Sequence, residues 1–278
     1  PNGQLNYLSQ TLTLSLSGPL TWADPFGLAL LPSKRRESAA VYDPDHQQMI
    51  MFSGSGGFDR DVWRLDLDGP PQWSRDVIPG GPNPRHGHRA VWDTPRHRML
   101  MMGGYDDQIN NYRNDLWSLT LEPVPTWTAV ATTGTPPSPR MLFGVIFDSR
   151  EDRLIVFGGH PSFLNDVWEL PLSGPDAMEW RQMTTEGGPP EPRWGLSMVY
   201  DRDRDRALVF GGTTNGYTGL NDTWALNLNG HHADWKLLEP SIGIPNPRLV
   251  HTAIFDDKRN RMVVYGGATG TSFWDGVW

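Results

Sequence analysis

The chain of 278 residues carries 32 acidic against 24 basic side chains, a net charge of −8, and no cysteine. That balance excludes a general nucleic-acid binder, which needs a basic face. The absence of thiols excludes a disulfide framework and a thiolate metal site, and leaves the compartment open.

Thirty Gly and 25 Pro point to many short strands joined by tight turns, with 13 Trp concentrating the apolar mass in a few rings. No apolar run approaches the roughly 18 residues of a membrane span. Pro1 to Gln10 lacks the basic and apolar regions of a signal peptide, and without an initiator Met the native start is expected to be missing or processed.

In chain order, the alternating Leu12-Thr-Leu-Ser-Leu16 followed by Trp22 predicts two strands of a partial unit over 1–22. A cassette then recurs. Its Arg-to-Asp pairs are Arg35/Asp43, Arg85/Asp93, Arg140/Asp148, Arg193/Asp201 and Arg248/Asp256. Beyond each Asp stands a glycine, at Gly54, Gly104, Gly159, Gly212 and Gly267, preceded by another glycine except where Ser53 stands. The cassette predicts full units over 35–73, 85–127, 140–180 and 193–235, with a partial one over 248–278.

Within a unit, the run from Met141 to Phe147 predicts an inner strand a, with small or polar residues at Ala39, His88, Gly144, Ser197 and Thr252 suiting the tightest space. The polar turn from Asp148 to Arg153 leads into strand b, Leu154 to Phe157. An Asp and an Arg five apart flank this turn, as in Asp93/Arg98 and Asp148/Arg153, with Gln48 replacing the Arg once. They are expected to form an exposed pair across the hairpin mouth that fixes register. Strand c carries a recurrent Asp (Asp61, Asp115, Asp166, Asp222, Asp275) and Trp (Trp63, Trp117, Trp168, Trp224, Trp278). Further on, Trp73, Trp127, Trp180 and Trp235 mark a short outer strand d and are expected to be core. Such a sheet cannot bury both faces alone, and radial stacking solves this.

An Arg opening the first strand, a Gly-Gly closing the second and a Trp in the fourth resemble kelch repeats, as in Arg85, Gly103-Gly104, Asp115-Leu-Trp117 and Trp127. The resemblance implies an all-β, kelch-type β-propeller of four-stranded antiparallel blades. Six blades are the expected closure, with five or seven as alternatives, and the chain reads as an incomplete copy of the ring.

In a propeller the b–c and d–a loops share one face. The span from the last glycine to the strand-c Trp varies while the other turns keep their lengths, which marks this face for recognition. Its loops carry Phe58, Tyr105, Tyr112, His160, Phe163, Tyr217 and Phe273. Arg35, Arg85, Arg140, Arg193 and Arg248 are expected to ring the channel mouth. Residues of this ring contact acidic peptides in similar domains, which makes these arginines candidate binding residues for a carboxylate-bearing partner. The alternative is that each is paired internally with a carboxylate or carbonyl.

His86-x-His88 lacks an obvious third ligand, so no metal is expected. No cofactor and no catalytic constellation is expected either. The chemistry suits a non-enzymatic module binding a protein or glycan, with no nucleic-acid or membrane-inserted partner. Two other readings stand: an enzyme on a small acidic sugar at the channel mouth, and a structural spacer in a larger surface protein.

Overall fold

A computed structural model describes residues 31–56, 59–230, 232–239 and 243–278, together with the paired strands Thr13–Leu14 and Trp22–Ala23. Four antiparallel four-stranded sheets succeed one another along the chain. Their strands a to d are, in blade 1, Ala39–Asp43, Gln48–Phe52, Val62–Asp66 and Gln72–Asp76. Blade 2 has Arg89–Asp93, Arg98–Met102, Leu116–Thr120 and Thr126–Ala129. Blade 3 has Gly144–Asp148, Arg153–Gly159, Leu164–Pro171 and Glu179–Gln182. Blade 4 has Ser197–Asp201, Arg206–Phe210, Thr223–Asn229 and His232–Leu238. The fifth unit pairs Thr252–Asp256 with Arg261–Tyr265, and Val277 bridges to Tyr265 at the start of its strand c.

The strands are short and β-rich, and alternate positions face opposite sides of each sheet. Strand b supplies both neighbours. Ile50 and Phe52 pack with Met99, Met101 and Trp127 of blade 2, and Ile155 and Phe157 pack with Val209, Leu226 and Trp235 of blade 4. The strand-d tryptophans Trp73, Trp127, Trp180 and Trp235 are buried. Two of them lie against the phenylalanine of the preceding blade, with ring centroids 5.0 Å (Phe52–Trp127) and 4.8 Å (Phe157–Trp235) apart. Each ring removes roughly 150–250 Å² from water.

A belt of main-chain bonds stitches the blades near the start of their inner strands. Gly87 N donates to Glu37 O (2.9 Å), Leu142 N to Gly87 O (2.7 Å), Gly195 N to Leu142 O (2.8 Å) and Val250 N to Gly195 O (2.7 Å). All five residues are left-handed, with φ between 50° and 68°. A second set runs from the closing glycines: Gly54, Gly104, Gly159 and Gly212 donate to the carbonyl of the opening arginine of the next blade. The glycines are required there, because a Cβ on Gly103 would lie 2.8 Å from Arg140 O. Ser53, also left-handed, accepts the Arg85 N–H through its hydroxyl (2.9 Å), a bond that loop carbonyls make in blades 2 to 4. Among the described residues, no bond of either set joins the fifth unit to blade 1.

Four expectations are corrected. Pairing register places Arg89, not His88, opposite Met102, where Ala39, Gly144, Ser197 and Thr252 stand in the other units. His88 precedes strand a and is fully buried edge-on to Phe52. The hairpin pairs exist in the predicted register, but Asp43, Asp93, Asp148 and Asp201 are buried rather than exposed. Each also caps its own turn or holds a second cation, so it is drawn inward. Arg153 shows this best, bridging Asp148 (2.9 Å) and Glu169 (2.7 Å) out of solvent. In the fifth unit, Val277 occupies the ladder place of Leu116, Val167 and Thr223. Gly276, not Asp275, therefore stands where Asp115, Asp166 and Asp222 stand. Finally, the d–a spans contribute strands absent from the expectation: Thr133–Gly134 and Thr185–Glu186 run parallel to the outer strands of blades 3 and 4.

Candidate functional site

The opening arginines are internal. Arg85 donates to Asp115 through both terminal nitrogens (2.6 and 3.1 Å), Arg140 to Asp166 (2.8 and 2.8 Å) and Arg193 to Asp222 (2.7 and 2.9 Å). Each also donates to the carbonyl of its own first glycine. The strand-c Trp completes the seat, its indole N–H donating to the same carboxylate at 2.8, 2.6 and 2.7 Å. Burial alone would raise these carboxyls. The arginine hydrogen bonds and charge outweigh it and hold all three below the usual range.

Blade 1 varies the theme. Arg35 forks onto Asp59 (3.2 and 3.0 Å), and Asp61 accepts from Arg75 instead. Both arginines lie over the Trp63 ring at 5.8 Å. Four of the five ring arginines thus direct their forks to acids within the chain. Arg248 is the exception, bonding among the described residues only the carbonyls of Asn246 and Gly266.

The b–c/d–a face carries something the arginine ring does not. The b–c loop of blade 2 folds into a hairpin, Tyr105–Asp106 against Asn111–Tyr112, which also pairs with Arg85–His86. Equivalent bridges join Met141 to His160 and Trp194 to Thr213. These pairings set a row of rings side by side. His86 lies 5.4 Å from Tyr105, Tyr105 5.0 Å from Tyr112, Tyr112 5.6 Å from His160, and His160 5.4 Å from Trp194. Phe163 flanks Trp194 at 6.5 Å. The row crosses three blades, and every member is partly exposed.

Polar atoms fix the row. Tyr112 Oη lies 3.1 Å from His160 Nδ1, and His86 Nδ1 lies 3.0 Å from Asp107. Tyr105 donates to Asn110. Burial lowers the His160 pKa and raises that of Tyr112, so at neutral pH an uncharged imidazole can accept from the phenol.

Of the residues expected on this face, Tyr105, Tyr112, His160 and Phe163 come together. Tyr217 and Phe273 stand apart, each about two-thirds exposed (64% and 66%). Phe58 lies outside the described residues. Trp194 and His86 were not foreseen as members of the row. Each follows an opening arginine by one residue, and comparing that place across units (Arg36, His86, Met141, Trp194, Leu249) would have revealed it.

Deeper in the ring, Arg89 donates to Phe143 O of the next blade (2.9 Å) and bonds no carboxylate among the described residues. Burial lowers its pKa to about 10. Ser197 Oγ lies 2.7 Å from His251 Nε2, and burial followed by the charges of Arg248 and Arg89 brings His251 down to about 3. The described residues contain no group of three or more His, Asp or Glu able to hold a metal ion. No helix among them is long and apolar enough to cross a membrane.

The family model of the KLHDC2/KLHL20/DRC7 Kelch-repeats domain matches residues 8–174 and again 96–278. The host cell factor homolog hcf-1 of Caenorhabditis elegans is 32% identical over 216 residues, 70% of this chain and 26% of that protein. Human host cell factor 1 is 30% identical over 228 residues, 74% of this chain and 11% of that protein. Adagio protein 3 of Arabidopsis thaliana is 30% identical over 242 residues, 80% of this chain and 37% of that protein. The chain therefore spans between about a tenth and just over a third of these relatives. Among solved structures, YjhT superposes with a TM-score of 0.67 at 14% identity, covering 88% of this chain and 75% of that one. With Arg, Gly-Gly, Trp and the four-stranded sheets recurring in register, the chain belongs to the kelch-repeat family and folds as a kelch-type β-propeller.

Proposed function

We propose that this propeller is a non-enzymatic interaction module that binds a protein partner across the aromatic row of its b–c/d–a face. The observation that carries the reading is the continuity of that row, from His86 through Tyr105, Tyr112 and His160 to Trp194. Aromatic rings that keep a polar tip and lose little rotamer freedom are favoured at interfaces. The kelch-repeat match and the host cell factors among the relatives are consistent with a protein-interaction module.

The test is a pull-down with the intact protein and a Tyr105→Ala/Tyr112→Ala variant. The reading requires unchanged thermal unfolding together with loss of the captured protein. Retention of every partner by the variant removes it. Capture of oligosaccharides instead, abolished by the same pair, reassigns the row to a glycan.

A second reading, an enzyme on a small acidic sugar, is favoured by one observation: the Arg89 guanidinium, which bonds no carboxylate among the described residues, acts through its charge on the Ser197–His251 pair. Turnover of a uronic or sialic acid lost in His251→Gln would support it, and absence of turnover across such substrates would discard it.

A further inference from the structure

Blades 2, 3 and 4 build the same carboxylate seat from three donors, the two terminal nitrogens of the opening arginine and the indole N–H of the strand-c Trp. In the fifth unit the donors persist and the acid does not. Arg248 keeps the anchoring bonds of its counterparts, Nε to Asn246 O at 3.0 Å and Nη1 to Gly266 O at 2.7 Å, and is 1% exposed. Trp278 follows Val277 as Trp117 follows Leu116. Gly276 takes the place of the aspartate, and no carboxylate of the described residues bonds Arg248.

A guanidinium withdrawn from water without an anion is strongly unfavourable, and burial accordingly lowers the Arg248 pKa. The space where the acid would lie is open. A Cβ on Gly276 would meet only Trp278, its Nε1 at 3.3 Å and its Cδ1 at 3.8 Å, within 4 Å. In the complete blades the carboxylates of Asp115, Asp166 and Asp222 remain 24%, 18% and 28% exposed in their seats, so that a seat of this kind can be approached from outside.

We propose that the Arg248 fork and the Trp278 indole form a binding site for an external carboxylate. The preference follows from the neighbouring seats, where the same donors hold a planar, two-oxygen acceptor, and the fork of arginine matches that shape in two parallel bonds. The carboxylate can come from a small free acid or from an acidic side chain of a protein. The site is separate from the aromatic row, so loss of one leaves the other to be measured.

The experiment is thermal unfolding at constant ionic strength, with sodium acetate replacing sodium chloride, on the wild type, Gly276→Asp and Asp115→Gly. The wild type should gain about 2–4 °C in acetate, the shift of a modest ligand on a domain of this size. Gly276→Asp should unfold higher in chloride and no longer respond, since its own side chain fills the seat. Asp115→Gly, which copies the fifth unit into blade 2, should unfold lower in chloride and regain part of the loss in acetate. Should Asp at 276 prevent folding, Arg248→Lys takes its place, keeping the charge, removing the fork and losing the response. Equal behaviour of the wild type and the filled or forkless variant in acetate overturns the proposal. The blocked peptide acetyl-Gly-Asp-Gly-amide separates the two sources. Action at tenfold lower concentration than acetate assigns the site to a protein side chain, and equal potency assigns it to a free acid.

Discussion

The two faces of the propeller use polar side chains in different proportions. On the a–b/c–d face they are bonded to each other and across blades: His97 to Asp45 (2.6 Å), Arg96 to Asp152 (2.9 and 2.6 Å), Arg150 to Asp203 O (3.2 Å) and Arg204 to Asn260 (2.5 Å). Each bond links one turn to that of a neighbouring blade, so this face is a clamp. On the b–c/d–a face the forks of Arg85, Arg140 and Arg193 are directed beneath the surface into the Arg–Asp seats, Arg60 reaches across to Asn83 and Gln108, and a row of rings is left at the surface. Repetition separates the two roles. The opening arginines recur in every unit and brace its sheet against its own closing turn, whereas Tyr105, His160 and Trp194 occur in single units and take no part in that bracing.

The largest effect that can break this comparison is in the seats. Arg140→Ala strands the carboxylate of Asp166 beneath the surface and should cost about 3–5 kcal/mol in urea unfolding. Arg248→Ala strands no acid and should cost clearly less. Equal losses would show that the forks act through packing alone. On the clamp face, Glu169→Gln removes one charge from the buried Asp148–Arg153–Glu169 group and should lower stability by about 1.5–3 kcal/mol, measured the same way.

Acid should act through the two buried histidines. His88 is lowered to about 3, first by burial and then by the charges of Arg85 and Arg89, and His251 is lowered similarly. A folded pKa below the unfolded 6.5 means that the unfolded chain takes up the proton first. The stability is complete above pH 6.5 and falls as pH drops toward 3, by up to a few kcal/mol per histidine, roughly 1.4 per pH interval. His88→Phe should flatten that slope, because blade 3 places Phe143 at the same position with no loss of burial. Chemical denaturation at pH 7 and pH 4 compares the two. The smallest shift is in the belt. Val250 is β-branched at φ 50°, and Val250→Gly should stabilise by about 1 kcal/mol through relief of that strain, provided its packing is slight. At 37% exposure the side chain has little packing to lose.

The fold was legible because its determinants repeat: an Arg eight residues before an Asp, and a Gly-Gly where a side chain would strike the next blade, cannot recur by chance in register. The internal pairing of the arginines was legible as one of two readings, and the strand-c Asp was legible as recurrent but not as the partner of the arginine fork. The aromatic row was legible only in part. Tyr105, Tyr112 and His160 stand in loops whose length varies from unit to unit. Trp194 and His86 lie in the recurrent cassette beside an arginine, and the pairings Tyr105–His86 and Trp194–Thr213 bring them to the rim. Asp275 misled because sequence proximity to Trp278 mimics the motif, whereas ladder register, set by Val277 against Tyr265, is what decides which residue meets the fork.

The belt of left-handed residues has a direction. Every link donates backward, from the later blade to the carbonyl of the earlier one, which makes each junction a copy of the last. Whole units can therefore be duplicated or deleted during evolution without inventing a new contact, since any blade presents the acceptor that any successor needs. Copy number in such a wheel is set by how many wedges fill the circle, and individual loops remain at liberty to diverge.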